Sequence, residues 1–551
     1  MLHFILDDGM DIVENAVMFV RAKRSVLDGK TYEYLQICES YREGSKVKQR
    51  IIASLGRRDR LVASGALDGL LTSLGKFSEK LRVVEAVRAQ GMTAHTAKIW
   101  GPALVFGRLW ERQRMPEVLG RLADGRKFGF DPKRVAFALA LQRLCEPGSD
   151  LAGSEWVKTV EGLPDIELHQ MYRTVGWLSE IREALEHDLF FRDRDLFTQE
   201  LDLVFLDTTS TYVYRDEETE FCKRGYSRDH RPDLTQMVLC VAVDGHGWPV
   251  AWEVFPGNTA DKDAFVKVIE VLRTRFKIRR VIVVADRGMI SKDTIELLAG
   301  DKEAPFDYIL GVRMRKDPDV AGHLLHRVHE FEEIAPGLGV AERTLDGKRY
   351  VLCYNEDQAK KDVLARESMI AKLTQTLESG EAKSLVGNTG YRRFLKGEKG
   401  AWRINSKAVA DDALFDGMFV LRTNTELPMA EVARTYKGLW RVERTFREQK
   451  STLELRPLYH HRDETRIGHI VASFLALRLE VDLQRRLDEK KIDTSWPNLM
   501  RDLKEVRGVD LELDGKRYLL RTDLTGAAHQ AFAAAGVRPP PAVSSGREPK
   551  M

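Results

Sequence analysis

A single carboxylate stands among a crowd of cations in RTYKGLWRVERTFREQKSTLELRP, residues 434 to 457. No Pro or Gly follows Gly438 before Pro457, so the stretch reads as one long helix that brings Tyr436, Trp440, Glu443, Arg447 and Lys450 into one stripe. Val442, Phe446, Leu453 and Leu455 offer apolar anchors beside it. A solvated helix with Glu443 paired to Arg447 at i,i+4 would carry the same residues, so the stripe becomes a site only with partners elsewhere. Two acids are available. Asp207 closes the apolar run LDLVFLD, and Asp286 closes IRRVIVVAD. One Asp at the end of a strand commonly caps a helix or opens a turn. Two of them on neighbouring strands are better explained as metal ligands, because carboxylates held close stay ionised cheaply only with a cation between them. Oxygen ligands without His or Cys select Mg²⁺ or Mn²⁺ over zinc. With Glu443 as the third ligand, two ions about 3.5 to 4 Å apart could clamp an in-line phosphodiester displacement, and the cations flanking Glu443 would hold the substrate's phosphates.

The elements that must position these acids follow from the change of pattern at Leu201. From there the order is strand (LDLVFLD), strand (MVLCVAVD), strand (WPVAWEVF), helix (DAFVKVIEVLRTRF), strand (IRRVIVVAD), helix (SKDTIELLAG) and strand (FDYILGVR). Three antiparallel strands followed by alternating helix and strand predict an α/β fold with a ribonuclease-H-like catalytic core, its mixed sheet flanked by helices. Ligands in such sheets sit at the carboxyl ends of the parallel strands. The core is placed at residues 200–475, interrupted by a mixed β-rich insertion at about 315–412, after which FDGMFVLRTN returns to the core and leads into the helix that carries Glu443.

Upstream, residues 18–60 read as a three-stranded β-meander with a Asp28-Gly29 hairpin turn. Eleven Lys or Arg against five acids there fit contact with phosphates, and equally a solvated edge protected by charge. Residues 61–195 read as an α-helical domain that could also touch DNA, 476–536 as a C-terminal helical region, and 537–551, ending GVRPPPAVSSGREPKM, as a disordered tail. Residues 1–17 read as an extension outside the native chain.

With 551 residues and 43% hydrophobic content the chain can bury a sizeable core. No run of about 18 apolar residues exists, which excludes a membrane-spanning helix, and the acidic opening lacks the basic start of a signal peptide. The expected location is therefore cytoplasmic, associated with the nucleoid. The net charge of +3 assigns any nucleic-acid contact to local clusters. Five scattered cysteines without C-x-x-C argue for reduced structural thiols. His323, His326 and His329 drift around a helix at their spacing, and no acid completes a zinc site. No P-loop is present, which argues against use of ATP.

Taken together, Asp207 in FLDTTST, GYSRDHRPDL at 225–234, PGNTAD at 256–261, Asp286 in VVADRGM, the strand D-G-x-F-V-L-x-T at 416–423 and Y-x6-E-x6-K at Tyr436, Glu443 and Lys450 resemble bacterial insertion-sequence transposases of the DDE class. The branch is the IS-four-like one with a Tyr-Arg-Glu-Lys signature and a β-rich insertion before the Glu. The resemblance runs from Met18 to about residue 480. It implies Mg²⁺-dependent cleavage at terminal inverted repeats and strand transfer into target DNA, with Asp207, Asp286 and Glu443 as the acids, Mn²⁺ able to substitute, and Tyr436, Arg447 and Lys450 on DNA. Pairing two transposon ends implies at least a dimer during reaction. The signature's Arg is replaced by Leu439 here, and no other residue is carried into its role. A ribonuclease-H-fold nuclease without strand transfer and a non-catalytic DNA-binding descendant are the alternatives.

Overall fold

A computed structural model describes residues 17–27, 30–43, 46–75, 92–193, 203–214, 217–278, 281–289, 291–300, 305–315, 317, 320, 331–379, 389–398, 401–513 and 516–545. From the amino end the chain forms β1 (Val17–Leu27), β2 (Lys30–Glu43), β3 (Lys46–Arg57), the short helices α1 (Arg58–Ala63) and α2 (Ala66–Gly75), and β4 (Met92–Ile99). Helices α3 (Gly101–Arg112), α4 (Met115–Ala123), α5 (Pro132–Cys145), α6 (Asp150–Val157), α7 (Leu168–Glu180) and α8 (Arg182–Asp193) follow. Then come β5 (Leu203–Tyr212), β6 (Gln236–Asp244), β7 (Pro249–Pro256), α9 (Asp261–Thr274), β8 (Ile282–Ala285), α10 (Lys292–Ala299) and β9 (Asp307–Gly311). The next stretch holds β10 (Glu332–Ala335), β11 (Leu338–Leu345), β12 (Lys348–Asn355), α11 (Glu356–Glu378), α12 (Thr389–Arg392), β13 (Leu395–Glu398), β14 (Ala401–Ile404) and α13 (Ser406–Ala413). The chain continues through β15 (Met418–Thr423), α14 (Met429–Lys437), α15 (Trp440–Ser451), α16 (Asp463–Glu489), α17 (Trp496–Glu505), β16 (Arg507–Leu513), β17 (Lys516–Arg521), α18 (Ala528–Ala535) and β18 (Val543–Ser545).

The chain divides into two compact units, Met1–Thr96 with Val509–Leu520 and Pro541–Met551, and Ala97–Gly508 with Arg521–Pro540. In the first, β1, β2 and β3 form an antiparallel meander in which Leu27 faces Lys30, the register an Asp-Gly hairpin demands. Its Arg24, Arg50 and Arg58 are exposed, yet they pair with Glu33 and Glu39, which reduces the free positive charge of the sheet.

The second unit is a mixed α/β body around a nine-stranded sheet in the order β10-β11-β12-β15-β9-β8-β5-β6-β7. The pairs β5–β8 and β8–β9 are parallel, and β5–β6, β6–β7, β15–β9, β12–β15 and β11–β12 are antiparallel. β6 is buried on both faces, which is why MVLCVAV is continuously apolar. The second layer is built on α16, buried nearly all round against α5 and α7, with Leu475, Leu477 and Leu479 in the main core. Two buried arginines on α16 are matched by carboxylates: Arg466 by Asp463 at 2.8 Å and Arg478 by Asp193 at 2.9 Å.

Several sequence expectations change. The insertion at 315–412 is not separate from the core, because β10, β11 and β12 continue its sheet through β12–β15. The stretch 61–195 is not wholly helical, since it contains β4, and 476–536 contains β16 and β17, which pair with β4 and β18. The tail is ordered as far as Ser545, where Ser544 and Ser545 pair with Leu519 and Tyr518; residues 546–551 lie outside the described ones, as do 1–16 and His323, His326 and His329. All five cysteines are buried and unbridged. Among the described residues no helix is long and apolar enough to cross a membrane.

Candidate active site

The sheet brings the two aspartates level. Leu206 pairs with Ala285 across the parallel β5–β8 pair, so the next residues, Asp207 and Asp286, stand side by side. Asp207 does not end its strand as expected. β5 continues to Tyr212 because Thr208, Thr209, Ser210 and Thr211 remain paired with β6. Asp286 does leave the sheet at the end of β8, in a turn fastened by Arg313, whose guanidinium donates to the carbonyls of Arg287 and Gly288 at 3.0 Å each.

The long helix expected around Glu443 is two helices. α14 ends at Lys437 and α15 begins at Trp440, with Gly438 between them packed so tightly on β5 that a Cβ there would lie 2.6 Å from Phe205 Cζ. α14 sends Tyr436 over the sheet, where its hydroxyl donates to Asp286 Oδ1 at 3.2 Å. The same hydroxyl sits 2.4 Å from where a Cβ of residue 311 would be, so Gly311 makes the approach possible. α15 buries Val442, Thr445, Phe446 and Gln449 and leaves Glu443 exposed in its first turn, a favourable place for a carboxylate.

The electrostatics tie the acids together. Burial pushes the Asp207 carboxyl up to about 7 in spite of Arg228 and the Thr208 N–H, and the charges of Asp286 and Glu443 push in the same direction. Burial and the Asp286 carboxylate also hold the Tyr436 phenol well above its usual range. Among the described residues, the trio of His, Cys, Asp or Glu ligand atoms within 4.8 Å of one another is Asp150, His460 and His469, so the three acids are not drawn that tight. An oxygen-only set with one carboxyl driven towards its neutral form fits a divalent cation, which would offset both the burial and the neighbouring charges that raise Asp207.

Residues to which the sequence reading gave no role surround Asp207. Arg228, from the GYSRDH stretch, donates to Thr208 Oγ1 at 2.6 Å and to Asp261 Oδ1 at 2.7 Å, and its guanidinium lies 4.0 Å from Asp207 Oδ1. Asp261 opens α9 at the end of PGNTAD and also accepts from Thr208 Oγ1 at 2.7 Å. Both motifs were visible as strings; their meeting was not, because it depends on close backbone approaches at Gly225 and Gly257. A Cβ on Gly257 would lie 2.0 Å from the Gln236 carbonyl oxygen, and one on Gly225 would lie 2.1 Å from that of Gly257. A cavity of about 480 Å³ opens beside them, lined by Ser210, Tyr226, Arg228, Asp261, Ser291 and Arg313 among others.

The other expected DNA contacts differ from one another. Arg447 is exposed. Lys450 is not the free cation expected, because its ammonium pairs at 2.8 Å with Asp229, a nearly buried carboxylate that also takes Arg456. Leu439, at the place of the signature's Arg, is buried in the core.

Two family models match the chain: the N-terminal domain of IS1634 family transposases over residues 20–91, and the transposase DDE domain over residues 198–479. Among solved structures, a piggyBac transposase synaptic complex with hairpin DNA is similar at 10% identity, with 73% of this chain and 79% of that chain covered and a TM-score of 0.38. No curated protein matches the chain. The DDE-domain match alone takes in more than half of the 551 residues, and the chain belongs to the DDE transposases of insertion sequences.

Proposed function

We propose that this transposase binds the terminal inverted repeats of its own element, cuts the DNA there and joins the freed ends to target DNA, using Asp207, Asp286 and Glu443 on a ribonuclease-H-like core. The observation that carries the reading is the pairing of Leu206 with Ala285, which sets the two aspartates level beneath a helix-borne glutamate whose charge reaches Asp207. The three carboxylates would hold Mg²⁺, or Mn²⁺ in its place, which when bound supplies activation of a water or 3′-hydroxyl and neutralises charge on the phosphate.

The chain's own side chains do the rest. Tyr436 fixes the orientation of Asp286 through its 3.2 Å hydrogen bond. Arg228 acts as the cation beside Asp207. Arg447 contacts DNA phosphates, and Lys450 reaches them only by sharing its charge with Asp229. The meander at 18–60 and the segment 61–195 hold the transposon end, a second copy of the chain holds the other end, and the protein works in the cytoplasm on nucleoid DNA.

Purified chain with a duplex ending in the element's inverted repeat tests this. Asp207→Asn, Asp286→Asn and Glu443→Gln are each expected to lower Mg²⁺-dependent cleavage by about three orders of magnitude or more, equivalent to several kcal/mol of charge stabilisation, while gel-shift affinity without metal stays close to wild type. A supercoiled target in the same reaction reports joining. Wild-type cleavage with no joined product would make the chain a nuclease, and wild-type cleavage by any of the three variants would remove that residue from the site.

A further inference from the structure

Away from the sheet residues just described, three side chains of metal-binding type converge where α6 meets α16 and the segment that precedes it. Asp150 is 2% exposed, His460 8% and His469 4%. His460 Nε2 lies 3.1 Å from His469 Nδ1 and 3.6 Å from Asp150 Oδ2, and one ligand atom from each residue lies within 4.8 Å of the others.

Hydrogen bonds do not satisfy this group. A ring nitrogen carries at most one proton. If His460 Nε2 donates to His469 Nδ1, Asp150 Oδ2 receives nothing. If His469 Nδ1 donates instead, Asp150 Oδ2 faces a lone pair on His460. Asp150 Oδ2 is in fact buried without a hydrogen-bond partner, and so is His469 Nε2. The other carboxylate oxygen is occupied: Arg143 donates to Asp150 Oδ1 at 3.2 Å, a bond that turns Oδ2 towards the two rings.

We propose that Asp150 Oδ2, His460 Nε2 and His469 Nδ1 bind a structural zinc ion or a closely similar late first-row divalent cation. Tetrahedral zinc with N and O ligands at about 2.0 to 2.1 Å needs ligand atoms roughly 3.3 to 3.4 Å apart, and the two short separations here lie on either side of that value. Two imidazoles and one carboxylate select zinc over Mg²⁺. The surrounding charges tolerate a cation. Arg143 is paired with Asp150, and Arg466 with Asp463 at 2.8 Å, so both arginines beside the group are already matched by a carboxylate before any metal is added. The fourth position is left to a water molecule. The ion would join α6 to α16 and so contribute to folding rather than to DNA chemistry.

The full chain, produced without a histidine tag and dialysed against excess Mg²⁺, is assayed for metal by mass spectrometry. About one zinc per chain is expected in wild type and in Glu443→Gln, and close to none in His460→Ala or His469→Ala. Should those variants fail to fold, wild-type chain from cobalt-supplemented cells is expected to show the intense visible absorption of four-coordinate Co²⁺, unchanged in Glu443→Gln. Folded wild-type protein free of zinc, a full zinc content in His469→Ala, or a cobalt spectrum lost in Glu443→Gln would each overturn the assignment.

Discussion

Asp207 carries the largest electrostatic cost in the catalytic region, and the cost has a sign. Its carboxyl is raised to about 7 in the fold, against about 3.9 in an unfolded chain. A carboxyl raised in this way contributes stability below the unfolded value that is lost as pH climbs through the folded one. The contribution of Asp207 to the stability of the metal-free protein should therefore fall between about pH 4 and pH 7 and stay constant above. Asp207→Asn removes the penalty: in urea unfolding at pH 8 without metal the variant is expected to be the more stable by up to a few kcal/mol, with the difference shrinking towards pH 4. Metal affinity of the wild type should fall below about pH 7, where a proton competes for the same oxygens, which isothermal titration across pH would reveal. Tyr436 allows a separate test, since Tyr436→Phe keeps the ring against Gly311 but loses the bond to Asp286. Cleavage is expected to drop about tenfold, near the 1.4 kcal/mol typical of one hydrogen bond to a charged group, with end binding within twofold of wild type. Asp207, Asp286 and Glu443 were legible as residue types, and the parallel pair β5–β8 brings the two aspartates level. Arg228 and Asp261 were not legible, since they meet beside Asp207 only through tertiary contacts of the backbone at Gly225 and Gly257.

At the scale of elements, the break between α14 and α15 separates the helix that carries Tyr436 from the one that carries Glu443. Gly438 was visible in the sequence, but one glycine is tolerated within a helix, and the packing on Phe205 that makes it a boundary is a tertiary fact. Gly438→Ala would place a methyl 2.6 Å from Phe205 Cζ. It is expected to displace α15 and lower cleavage at least tenfold, and Gly438→Ala with Phe205→Leu should recover part of the loss. The far end of α15 is held by a different device. Asp229 is 4% exposed and binds both Lys450 and Arg456, so Asp229→Asn strands two cations. Equilibrium unfolding should register a loss of about 3 to 5 kcal/mol, as when one partner of a buried ion pair is removed. Apolar runs such as MVLCVAV announced their strands because burial on both faces leaves no room for polar residues. β4 did not, because its sheet neighbour, β16, is encoded some 400 residues further along the chain.

For the molecule as a whole, the insertion is part of the architecture. β12 lies against β15 from Arg349 with Thr423 to Tyr354 with Met418, and Val340, Val351 and Cys353 belong to the main core. A chain with residues 331–416 replaced by a short linker should therefore be insoluble or aggregated rather than a minimal catalytic core, because β15 would expose an unpaired edge; size-exclusion chromatography and circular dichroism of the deletion would show it. The same arrangement sets the order of events during synthesis. β9 ends at Gly311, but its neighbour on one side, β15, starts at Met418, and Glu443 follows only after that. Translation at about 5 to 20 residues per second leaves several seconds or more between the emergence of Asp286 and that of Glu443. On the proposed assignment, the nascent chain throughout that interval carries two acids of three on an unfinished sheet, and a chain interrupted there is expected to be inert towards DNA. The proposed set of three acids is thus completed only after the whole nine-stranded sheet has been made.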